Sequence, residues 1–154
     1  MNRGNMQIES FYVIGIDVRT TNQNGQAALD LGVLWGRFFA QGVMDQIPDK
    51  VGSDIYAVYT DYEGDHTKPY TAVIGARVAS LQHIPAGMVG KSIPAGRYEL
   101  FTAKGNLHQG AVGGEWVKIW KMPLHRTYGA DFEVYGPRAS NPQDAEVDIF
   151  VGVE

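Results

Sequence analysis

The sequence predicts an α+β fold built from two strand-helix-strand-strand units that share one antiparallel sheet, with two helices and a ligand cleft between the halves. Three observations lead there. The segments Tyr56-Ala57-Val58-Tyr59 and Phe132-Glu133-Val134-Tyr135 share a pattern in which an aromatic residue is followed at the third and fourth places by Val and Tyr. Eleven positions after each closing tyrosine another strand candidate begins, at Tyr70 and at Glu146. An apolar stretch of helical period precedes both segments. The halves run from about residue 6 to 80 and from about 93 to 154, within a single domain spanning 1–154.

Each element follows from its local pattern. Ile8 to Val18, rich in Phe11, Tyr12, Val13, Ile14 and Ile16, reads as a strand that ends at the turn-prone Thr20-Thr21-Asn22. Ala27, Ala28, Leu31, Leu34, Trp35, Phe38 and Phe39 have the spacing of one buried helical face, bracketed by Gly25 and Gly42. Asp54 to Tyr62 and Tyr70 to Ala79 are strands joined by a longer hairpin loop at Glu63-Gly64-Asp65-His66. Leu81 to Pro94, punctuated by Pro85, Gly87 and Gly90, links the halves. Gly96 to Ala103 is the next strand. Val112, Trp116, Ile119 and Trp120 mark the second helix, and Phe132 to Tyr135 and Glu146 to Val151 close the second unit.

Glu133 stands out because it interrupts an apolar strand where the first half carries Ala57. A carboxylate in such a place must find a partner or remain costly. Strand alternation puts Glu133 and Tyr135 on one face and Phe132 and Val134 on the other. If the larger apolar pair packs under the helices, Glu133, Tyr135 and Tyr59 look away from them, as do Glu146, Asp148 and Phe150 on the last strand. A face of tyrosines, Phe150 and carboxylates suits an apolar cation, since each aromatic face attracts a cation by about 0.5–2 kcal/mol. The alternative for the same alternation is the solvated face of an open sheet. Trp35, Phe39, Trp116 and Trp120 fit a helix core first, with their edges available to a cleft between the helices.

Composition removes other classes. A chain of 154 residues with 44% hydrophobic and 19% charged residues has an ordinary globular balance. Its net charge of −4, without a Lys- or Arg-rich run, argues against direct nucleic-acid binding. No apolar run approaches a membrane span, and Met1-Asn2-Arg3-Gly4-Asn5 has no secretion-type apolar region, so a cytoplasmic address is expected. The absence of cysteine excludes disulfides and thiol chemistry. His66, His83, His108 and His125 are scattered, without metal-ligand spacing, and no phosphate-binding glycine motif or nucleophile elbow is present. No cofactor is expected. Were the chain an enzyme, Glu133 with Tyr135 or Tyr59 would supply its acid and base.

Several ordered segments carry a family resemblance: Ile74-Gly75-Ala76-Arg77-Val78, Pro85-Ala86-Gly87-Met88, Ile93-Pro94-Ala95-Gly96-Arg97-Tyr98-Glu99-Leu100-Phe101, Trp116-Val117-Lys118-Ile119-Trp120, Asp131-Phe132-Glu133-Val134-Tyr135 and Glu146-Val147-Asp148-Ile149. Together they resemble the GyrI-like effector-binding domain, the ligand module of AraC- and MerR-type multidrug-responsive regulators. The resemblance spans about residues 6 to 154. It implies a duplicated fold whose cleft binds lipophilic, often cationic, small molecules, with a central pocket glutamate that maps onto Glu133. With the first strand starting near Ile8, the chain resembles stand-alone members that lack a DNA-reading domain. Three functions are then in view: a stand-alone binder of lipophilic cations, a hydrolase of reactive small molecules in the same cleft, and a protein-interaction module with a regulator or gyrase as partner. The resemblance alone does not choose among them.

Overall fold

In the computed structural model, residues 4–154 are described; Met1, Asn2 and Arg3, which open the segment read above for a secretion signal, lie outside the described residues. The chain forms β1 (Gly4–Ile8), β2 (Phe11–Thr20), α1 (Gln26–Ala40), a single turn α2 (Val43–Gln46), β3 (Ile55–Thr60), β4 (Tyr70–Val78), β5 (Val89–Ile93), β6 (Gly96–Gly105), α3 (Ala111–Trp120), β7 (Arg126–Tyr135) and β8 (Ala145–Val153). The eight strands make one antiparallel sheet in the order β1-β6-β8-β7-β3-β4-β2-β5. The fold is α+β.

Three elements differ from the sequence reading. The strand expected from Ile8 to Val18 starts later, at Phe11, because Glu9 and Ser10 separate it from β1, which ends at Ile8: β1 pairs with β6 and β2 with β4. The link between the halves contains β5, which pairs with β2 over Phe11↔Ile93 to Gly15↔Val89. Strand β7 begins earlier than expected, at Arg126, and between Arg126 and Asp131 it carries an irregularity opposite β8.

The two-residue connections at Glu9-Ser10 and Pro94-Ala95 shape the whole sheet. Each joins strands near opposite ends of the strand order. Such a link reaches only about 10 Å, so the sheet curls until its edges approach. The ring of Phe11 on β2 meets that of Phe132 on β7 at 5.1 Å, and Tyr98 on β6 meets Phe132 at 5.3 Å. The inside of the curl is a core of Phe11, Val13, Val58, Val73, Ile93, Tyr98 and Phe132.

The outer face of the curl carries the helices. Leu34 and Phe38 of α1 bury against Ile14, Ile16 and Ile74, and Ile119 of α3 buries against Phe101, Ile149 and Val151. Gly42, at φ +60°, ends the α1 region in a left-handed conformation that favours glycine, and Val43 and Ile47 then anchor the short α2.

Alternation along β7 is as the sequence implied, but its faces are exchanged. Phe132 and Val134 point into the curled core, and Glu133, Tyr135 and Tyr59 point toward the helices. The reason is the curl: the side without helices is closed and takes the larger apolar rings. Val147, Ile149 and Val151 do face the helix side, with Phe150 opposite. Phe150 therefore lies across the sheet from Glu133, stacked on Phe132 at 4.7 Å, and does not line the cleft.

The two units meet at β3 and β7. One half contributes β2-β4-β3 and the other β7-β8-β6, so the strand order reads alike from either end. Ala57 pairs directly with Glu133, its counterpart in the other half. The pseudo-twofold axis relating the halves thus passes beside the one residue at which their central strands differ most in chemistry.

Candidate functional site

The site is built on that axis. Glu133 is 1% exposed, and its carboxylate accepts three hydrogen bonds. Tyr59 donates from its hydroxyl to Oε2 at 2.9 Å, Tyr135 to Oε1 at 2.7 Å, and Trp116 donates from Nε1 to Oε2 at 2.6 Å. Tyr59 and Tyr135 are themselves counterparts in the two halves, so the duplication supplies one hydroxyl from each side. Period-2 alternation on β3 and β7 aims Tyr59, Glu133 and Tyr135 at the helices.

The tryptophans repeat the arrangement. Trp116 of α3 meets Tyr59 edge-on at 5.8 Å, and Trp35 of α1 meets Tyr135 edge-on at 5.0 Å. Phe39, 64% exposed, stacks on Trp35 at 5.8 Å, at the rim.

The electrostatics are unusual for so buried an acid. Burial pushes the Glu133 carboxyl above its ordinary range, while the bonds from Trp116, Tyr135 and Tyr59 pull it back down. Burial, together with the Glu133 charge, holds the Tyr59 and Tyr135 hydroxyls well above the ordinary tyrosine range, so both remain donors. All three partners are neutral. Among the described residues no ammonium or guanidinium pairs with Glu133. The carboxyl group is therefore hydrogen-bonded but, among the described residues, has no cationic partner.

Glu133 opens on a cavity of about 790 Å³ between α1 and α3, lined by Leu31, Trp35, Phe39, Val112, Trp116 and Tyr135 among others. That volume is in the range of small-molecule sites, about 300–1,000 Å³. Gly32 on α1 and Gly113 on α3 line it too, and a Cβ at either would touch nothing within 4 Å, so the helices leave space there. A second chamber of about 190 Å³ adjoins, sharing Tyr59, Trp116, Leu31 and Gly113 with the first. Trp120 lines this smaller chamber, with its ring stacked on His66 at 5.3 Å.

Of the sequence candidates, Glu133, Tyr135, Tyr59, Trp35, Phe39 and Trp116 come together around the large cavity, Trp120 lies in the adjoining chamber, and Phe150 is on the other face. Sequence reasoning missed Tyr62, Tyr70 and Arg126; His66 lies in the β3–β4 loop as expected and lines the smaller chamber from there. Tyr70 falls on β4, where alternation with the helix-facing Ala72 and Ile74 was available as a signal. Arg126 had none, because it precedes the irregular part of β7. Among the described residues no group of three His, Asp or Glu side chains is placed to hold a metal ion.

Comparison with known proteins finds relatives in structure and in sequence. The integron cassette protein Cass2 from the mobile metagenome of Vibrio cholerae is 28% identical and superposes with a TM-score of 0.76, covering 99% of this chain and 95% of its own. The structure of SAV2435 bound to tetraphenylphosphonium superposes with a TM-score of 0.80 at 18% identity, over 100% of this chain and 94% of that one. YobU of Bacillus subtilis (strain 168), named as a candidate transcriptional regulator, is 29% identical over 125 residues, 79% of this chain and 78% of its own. Residues 6–153 match Cass2, the integron-associated effector-binding proteins, and this chain belongs to that family.

Proposed function

We propose that this protein binds lipophilic cations in the cavity between α1 and α3, with Glu133 as counter-charge. The observation that carries the reading is the buried Glu133 carboxyl, without a cationic partner among the described residues, on the wall of an aromatic cavity of about 790 Å³. An apolar pocket with one convergent charge is poised for a ligand that is apolar over most of its surface and opposite in charge. Tyr59, Tyr135 and Trp116 already occupy three of the roughly four acceptor positions of the carboxylate. A ligand therefore needs positive charge more than it needs N–H donors, which favours delocalised or quaternary cations. The rings of Trp35, Trp116 and Tyr135 add cation–π attraction. That SAV2435, which shares the fold, was solved with tetraphenylphosphonium supports the same reading.

The test is calorimetric titration with a cationic dye and a neutral dye of similar shape, on the wild type and Glu133→Gln. The amide keeps the shape, and the Tyr135 hydroxyl can accept from it. The cation should lose about tenfold or more in affinity, because only it loses a buried counter-charge; the neutral dye should change little. Equal losses would show that shape alone governs binding. Conversion of a reactive electrophile at a rate abolished in Glu133→Gln would instead assign Glu133 to acid–base catalysis.

A further inference from the structure

The smaller chamber holds a guanidinium, ion-paired with Asp131, that the reading above does not use. Arg126 has a side chain only 5% exposed, and its Nη2 donates to Asp131 Oδ2 at 2.6 Å. Its Nε and Nη1 are buried without a hydrogen-bond partner, as is Nδ1 of His66, and both residues line the chamber. A guanidinium presents its donors in a rigid fork suited to an oxygen pair. Here one prong is occupied and the rest is not.

The guanidinium is also fixed in place. Its carbon lies 4.4 Å from the Tyr128 ring centroid and 5.7 Å from that of Trp116. Asp131 is held in turn by the Tyr62 hydroxyl at 2.5 Å and by the Gly152 N–H at 2.9 Å. Asp131 is thus committed to a network of its own, and the free edge of Arg126 is what remains for an incoming group. Trp116 and Tyr59 line both chambers, so Glu133 and Arg126 serve adjoining spaces.

We propose that the smaller chamber is an acceptor subsite, in which Arg126, beside His66, binds a carboxylate oxygen carried on an arm of the ligand. The preferred ligands are then lipophilic cations with an acidic arm, the cationic body over Glu133 and the arm past Trp116 at Arg126. This rests on the cation reading for the larger cavity and adds a second determinant of specificity.

Two triphenylphosphonium cations test it, one with a carboxybutyl tail and one with a pentyl tail, by calorimetry at neutral pH. The wild type should bind the carboxybutyl compound about tenfold or more tightly, the scale of one hydrogen-bonded contact to a charged group. Arg126→Lys keeps the charge opposite Asp131 but loses the fork; it should bring the two tails near parity while leaving pentyl affinity in place. Glu133→Gln should weaken both compounds and keep their ratio. Equal affinity of the tails for the wild type overturns the subsite and leaves the cation reading standing. A tail preference with indifference to Glu133→Gln overturns the cation reading and leaves the subsite. A preference unchanged in Arg126→Lys, with the fold intact by thermal melting, assigns the arm elsewhere and overturns the proposal.

Discussion

Glu133 sets the stability of the fold against the cation binding proposed for its site. Its carboxyl is raised by burial, so the native chain holds a proton at pH values where the unfolded chain, with an ordinary Glu value of about 4.3, has released it. Stability therefore falls as pH climbs from about 4.3 through the raised native value, and the cost is complete above it. Cation binding runs the other way. On the proposed function it needs the carboxylate, so affinity for a permanent cation should fall as pH drops through the same window, with proton release on binding near the native value. Calorimetry in buffers of different ionisation enthalpy reads both effects. Affinity that is flat down to the ordinary carboxylate range, with no proton exchange, would separate Glu133 from binding. In Glu133→Gln both dependences should vanish, and the ligand-free protein should melt no lower than the wild type at neutral pH, since an amide avoids burying a charge.

At the scale of elements, the helices carry glycines where helix propensity disfavours them. Gly113 and Gly114 sit inside α3, and each costs about 0.8–1 kcal/mol relative to alanine. Gly113 lines both chambers, and a Cβ there meets no neighbour, so space for a ligand is the physical gain. Gly113→Leu should restore helix propensity and fill the cleft. The expected outcome is a melting temperature equal to or above that of the wild type, with affinity for a lipophilic cation down by about tenfold or more; retained affinity would place the ligand elsewhere. This logic was not legible in advance, because a glycine in a helical pattern says nothing about which face is hollow. The strands were legible through alternation and the helices through period. What failed was the choice of face: alternation shows that Glu133 and Phe132 point apart, but only the two short links at Glu9-Ser10 and Pro94-Ala95 show that the Phe132 side is closed by curling. Phe150 was misplaced relative to Glu133 for that reason. Glu133 could be singled out as a candidate because one charged residue broke the match between two similar strands, whereas Arg126 broke no pattern.

For the whole molecule, duplication does more than repeat a core. It brings two copies of one strand side by side, so that residues near the axis face their own counterparts. Tyr59 and Tyr135 benefit, each giving a hydroxyl to the same carboxylate. Position 57 is the exception that makes this possible: had the first half also carried a glutamate, two carboxylates would meet across one strand pair. Ala57 is 1% exposed and has no room for solvent to screen such a pair. Ala57→Glu therefore tests whether the asymmetry between the halves is required. Two buried carboxylates in contact cannot both ionise, so one carboxyl should rise further above the ordinary range than Glu133 does alone. The sign follows as before: a raised native value costs stability increasingly as pH rises through it. Added side-chain volume contributes a penalty of about 1–3 kcal/mol that is indifferent to pH. Urea denaturation of wild type and variant from acidic to neutral pH distinguishes the two contributions. The destabilisation should be smallest at acidic pH and grow toward neutrality, whereas a penalty equal at every pH would mean that crowding alone, and not charge, forbids a second glutamate on the axis.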